Sequence, residues 1–160
     1  MNSYLALKWL HIVSSVLLVG TGFGSAFYFY FANRSGSVPA QAVVARLVVR
    51  ADGWFTAPAA IVQPVSGIAL AVIAGWPLWT PWLASALVLY VMAGACWLPV
   101  VAIQIRMAGM AQRAADTDTP LPPEYAQLAR RWERLGYPAF VAMLVVYALM
   151  VFKPAAWPWD

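Results

Sequence analysis

From Tyr4 to Phe31 the chain carries Lys8 as its one certain charge, and the stretches 54–75, 82–105 and 136–153 are almost as apolar. Runs of this length constrain the fold more than any other feature, because about 20 consecutive apolar residues are what a helix needs to cross a bilayer. Composition agrees: 63% of the residues are apolar and 10% charged, with a mean hydropathy of +0.71. An ordinary soluble domain is about 45–50% apolar and about 25% charged, so a water-exposed surface is excluded and an integral membrane protein is expected.

The 160 residues accommodate about four spans of ~20 residues with short connections and no separate soluble domain. The expected fold is all-α, a four-transmembrane-helix bundle forming one domain, residues 1–160. Its spans fall at about 4–32, 54–75, 82–105 and 136–153, with cytoplasmic connections 33–53 and 106–135. A cleavable signal peptide competes for the first span. Its apolar region would be about 7–15 residues followed by a small-x-small site, which this segment does not match. Pro58, Pro64 and Gly67 predict a kinked second span, whose freed carbonyls need partners such as Gln63 and Ser66. The third span, which contains Pro99, is expected to continue as a polar helix towards Ala115. Pro120, Pro122 and Pro123 then break the chain, and a short amphipathic helix, Pro123 to Leu135, precedes the last span.

The first connection carries Arg34, Arg46 and Arg50, and the third carries Arg106, Arg113, Arg130, Arg131 and Arg134, whereas Trp76 to Pro81 carries no charge. The positive-inside rule therefore places both termini on the extracytoplasmic side. Trp9, Trp76, Trp79, Trp82, Trp157 and Trp159 would form an aromatic belt at that outer interface. The net charge of +4 reads as topology information, so no nucleic-acid partner is expected. Cys96, the lone cysteine, excludes an intrachain disulfide and a cysteine-based metal cluster, and reads as an inert buried thiol. No internal repeat is evident.

The lone histidine, His11, lies in the first span with Lys8 and Ser15 on the same helical face. Counting from Tyr4 at ~1.5 Å per residue puts it roughly 10 Å below the interface, where an ionisable group is a functional candidate. A neutral imidazole can ligate haem iron or another metal, or it can hydrogen-bond a neighbouring helix as packing glue; both readings stand. At similar depth lie Ile68, Tyr90, Met92, Tyr147 and Met150, and a Tyr or Met among them could complete a haem site. Each also serves as core filler. Lys8 could pair with a propionate or snorkel to the interface. Gly20 and Gly24, with Gly22 between them, would let a second backbone or a flat ring come close. Gln63 and Gln104 read as helix contacts, and Arg130, Arg131 and Arg134 as a topology signal with headgroup binding second.

Absences narrow the choice further. With one histidine, a bis-histidine haem cannot be built within one subunit. No acidic residue falls well inside an expected span, which argues against a carboxylate-based proton or cation pump. There is no Walker loop, dinucleotide fingerprint or Ser-His-Asp set.

The opening Lys8-Trp9-Leu10-His11-Ile12 resembles the start of the bacterial four-helix haem-binding protoporphyrinogen IX oxidase family. Asp52 to Gly75 is similar to that family's second helix, and the stretch from Arg130 to Pro154 to its last. In length and span number the chain also resembles domain-of-unknown-function family 2269 of predicted integral membrane proteins and the copper-resistance D-type membrane proteins. The resemblance implies a haem b protein of the bacterial inner membrane with His11 as iron ligand, acting in electron transfer or porphyrinogen oxidation. The sequence departs from the oxidase pattern in the third helix, where Ala84, Ser85 and Ala86 stand in place of a lysine and no histidine follows.

Two functions are therefore expected in competition. One is a haem-dependent oxidoreductase, acting as a homo-oligomer or with a membrane redox partner. The other is a cofactor-free assembly factor, small-solute permease or partner subunit in which His11 serves packing.

Overall fold

The computed structural model describes residues 3–154, and every regular element in them is helical. Helix α1 (Ser3–Arg34) leads into α2 (Val38–Ala51), which passes through a π-helical turn (Asp52–Thr56) directly into α3 (Ala57–Ile73). Helices α4 (Pro81–Asp116) and α5 (Pro123–Phe152) complete the chain. Taking α2, the π turn and α3 as one rod, four helices are long and apolar enough to cross a membrane.

The helix ends follow local chemistry. After α1, Gly36 takes a positive φ of 71°, and Ser37 caps α2 by accepting a hydrogen bond from the Ala40 N–H. Such a cap satisfies one of the amides that a helix start leaves without an internal partner. Helix α3 stops at Gly75, whose φ of +72° closes a C-terminal motif. There the Trp76 N–H reaches Ala71 O and the Gly75 N–H reaches Val72 O. As the sequence predicts, α4 continues through residue 115 and the proline cluster separates it from α5.

Two stretches differ from the sequence reading. Residues 38–51, expected as connection, form α2. Gln41, Ala45, Val48 and Asp52 recur at helical spacing and are buried, while Arg46 and Arg50 lie exposed on the opposite side. The amphipathic segment 123–135 does not end before the last span either. Gly136 and Pro138 are carried inside one continuous α5.

The irregularity expected in the second span takes the form of the π turn. In a regular α-helix the Pro58 ring would collide with the carbonyl of Trp54 one turn earlier. The wider turn, in which the Ala57 N–H bonds Asp52 O, immediately precedes that proline.

Helix α1 packs along α3, α4 packs along α5, and α2 bridges α1 to α4. The charged end holds the main core, in which Phe29 and Met107 are fully buried among Ala45, Ile103, Leu128 and Trp132. Arg34 fastens this end by a bidentate pair with Glu133, at 2.9 and 3.2 Å, while its guanidinium stacks over Tyr30. A smaller cluster, Ala71, Trp82 and Leu83 with Leu149 and Met150, closes the opposite end. Trp82 is therefore core and not part of an interfacial belt, whereas Trp9, Trp76 and Trp79 are exposed. Trp157 and Trp159 lie outside the described residues. Elsewhere the outer faces are apolar and open, as at Ile61, Val88 and Val141, which suits lipid as solvent.

Candidate functional site

His11 is half-buried on α1 facing α3, and both its ring nitrogens are engaged. Nδ1 lies 2.9 Å from Ser66 Oγ, and Nε2 lies 3.1 Å from the Gln63 amide nitrogen. One placement of protons satisfies both ring nitrogens and the Gln63 amide. The Gln63 amide donates to Nε2, His11 Nδ1–H donates to Ser66, Ser66 donates to Val62 O at 2.6 Å, and Ser14 donates to Gln63 Oε1. The imidazole is then neutral with its lone pair already taken. Gly67 makes the approach possible, since a Cβ there would lie 2.9 Å from His11 Cε1.

The other sequence candidates do not gather round this histidine. The Tyr90 hydroxyl donates to Ala60 O at 2.8 Å. That carbonyl is the one deprived of its helical donor by Pro64, so Tyr90 repairs the break that the sequence assigned to Gln63 and Ser66. Tyr147 bonds Ser15, with its hydroxyl 2.6 Å from Ser15 Oγ. Met92 is exposed, and Met150 packs on the end cluster. Lys8 is exposed and engages none of these groups. Among the described residues no three His, Cys, Asp or Glu side chains come together as a metal site. As the side chains stand they do not fit a haem: both ring nitrogens of His11 are held by Ser66 and Gln63, the Tyr147 hydroxyl is held by Ser15, and the cavity between the helix pairs is lined by other residues.

That cavity, of about 300 Å³, lies between the α1–α3 pair and the α4–α5 pair. Gly22, Gly94 and Gly136 give it room by withholding side chains and Ala60 by offering only a methyl, and its wall is otherwise mostly apolar and aromatic. Phe23 and Phe140, with ring centroids 4.3 Å apart, line it on the side where α1 faces α5. Towards the charged end it meets a polar group. Asp52, 5% exposed, accepts a hydrogen bond at 2.9 Å from Thr56 Oγ1, four residues on. With the Gln104 amide turned to suit both neighbours, its nitrogen donates to Asp52 Oδ2 at 2.8 Å and its oxygen accepts from the Trp132 indole N–H at 3.2 Å.

Asp52, which the sequence places in the connection 33–53 because Arg46 and Arg50 precede it, is buried inside the helical bundle. The legible signal was the buried register 41, 45, 48, 52 and 56, which continues the α2 stripe into the π turn. No Lys, Arg or His nitrogen lies within 4.0 Å of its carboxylate among the described residues. Cys96 is half-buried and makes no disulfide.

No curated protein and no solved structure matches the chain. A family model described as predicted integral membrane protein (DUF2269) matches residues 5–154. Nearly the whole described bundle falls within that match, and the chain belongs to this family of integral membrane proteins.

Proposed function

We propose that this protein holds a small, mostly apolar solute inside the membrane, in the cavity between its two helix pairs, as a cofactor-free binding protein or small-solute permease. The charge bias supports a bacterial inner membrane orientation with the arginine-rich end in the cytoplasm. The observation that carries the functional reading is the cavity of about 300 Å³ with one buried carboxylate at its end. A small-molecule site has this character: a largely apolar enclosure in which a few polar groups fix orientation.

Gly94→Leu tests the reading. The glycine lines the cavity, its Cβ would meet open space within 4 Å, and leucine is the better helix former. The variant is expected to fold at least as well as wild type and to lose a small-molecule adduct seen by native mass spectrometry of the purified protein. An adduct that survives Gly94→Leu would overturn the assignment to this cavity, and a wild type without adduct or saturable small-molecule binding would overturn the function. Haem b on His11 has its own signature, a Soret band that disappears in His11→Ala. The expected sample from haem-replete cells is colourless, and a His11-dependent Soret band would refute the cofactor-free reading.

A further inference from the structure

An ionised carboxylate removed from water costs several kcal/mol unless a cation or a full set of donors compensates it. Asp52 has two donors, Thr56 Oγ1 and the Gln104 amide, both neutral, one on each carboxylate oxygen. Both belong to the helices that wall the cavity, and both residues line it together with Asp52. The ion pairs among the described residues, Arg34–Glu133 and Arg106–Glu124, do not include Asp52. The remaining wall includes the rings of Phe23, Tyr90, Trp97, Trp132 and Phe140 among aliphatic side chains. The face of an aromatic ring attracts a cation through the ring quadrupole, most strongly where the cation is desolvated. One acid without a cationic partner, at the end of an aromatic cavity, is the recognition chemistry of a positively charged organic molecule.

We infer that the solute taken by this cavity is an organic cation, an amine or quaternary ammonium on an apolar body, with Asp52 as its counter-charge and the aromatic wall as its lining. The inference rests on the binding reading above and specifies its ligand class. It needs no group transfer, and the positive charge that a bilayer disfavours is met inside the protein by the negative one.

The test compares two probes of nearly the same shape, benzyltrimethylammonium and neutral neopentylbenzene, titrated into detergent-solubilised wild type, Asp52→Asn and Gly94→Leu. Binding is read by calorimetry, with Gly94→Leu supplying the baseline for partition into the micelle. Asp52→Asn can keep the fold, since its amide oxygen can accept from the Gln104 amide, which leaves the Gln104 oxygen to Trp132, while its nitrogen can donate to Thr56 Oγ1 once that hydroxyl turns its proton away. Circular dichroism verifies that it folds. Wild type is expected to prefer the cation by about tenfold or more, a preference that disappears in Asp52→Asn. Equal binding of both probes to wild type would overturn the cation inference while leaving the cavity function standing. A cation preference that survives Asp52→Asn would overturn Asp52 as the counter-charge. Failure of both probes to bind wild type above the Gly94→Leu baseline would remove the inference and the binding reading together.

Discussion

A methyl group at position 67 would meet His11 Cε1 at 2.9 Å, inside any real carbon–carbon contact, so the glycine and the histidine define each other. Gly67→Ala forces the ring away from Ser66 and Gln63, and the strain with the loosened bonds is expected to cost about 1–3 kcal/mol. Denaturation in mixed micelles measures it, and the same substitution in a His11→Ala background should cost clearly less. Equal costs in the two backgrounds would show that the contact is not the cause. The sequence drew attention to His11, Gln63 and Ser66 one at a time, but not to their meeting. Which helices pack together is set by shape complementarity between apolar faces, and nearly every face of this chain is apolar. Asp52 stayed hidden for a related reason. A carboxylate two residues after Arg50 looks like the edge of a membrane span, and only the rotation of the helix separates its buried direction from the exposed arginine.

At the scale of the element, the second long rod shows how prolines are kept inside a membrane helix. Pro58 is preceded by the π turn, and Pro64 leaves Ala60 O to the hydroxyl of Tyr90 on another helix. Tyr90→Phe should therefore destabilise the bundle by about 1–3 kcal/mol, the cost of an unpaired buried carbonyl. Pro64→Ala restores the missing backbone N–H, so in that background Tyr90→Phe should cost little. A double-mutant cycle read by thermal unfolding checks this, and additive effects would reject the link. The helices themselves were legible in the apolar blocks, and the start of α5 in its prolines. The helical nature of residues 38–51 was not, because alternation of arginine with alanine and valine marks an amphipathic helix and a charged membrane border equally well.

The whole molecule is packed at both ends and parted in the middle. The Phe29–Met107 core lies at one end and the Trp82 cluster at the other, with about 300 Å³ between the helix pairs. Four apolar runs announced a bundle, but not the space within it, because glycines at 22, 94 and 136 are as common in tight helix packing as in a cavity wall. This arrangement also makes hydrostatic pressure a readout. A folded state containing space that unfolding eliminates is larger in volume than its competitors, and compression shifts the balance against it in proportion to that space. Wild type freed of its solute should therefore unfold at lower pressure than Gly94→Leu, by high-pressure fluorescence in the same detergent. Identical pressure midpoints would mean that the side chain at 94 does not enter the space between the pairs. The withheld side chains that make room for a solute would thus have a mechanical counterpart, a fold that is more compressible at its centre than at either end.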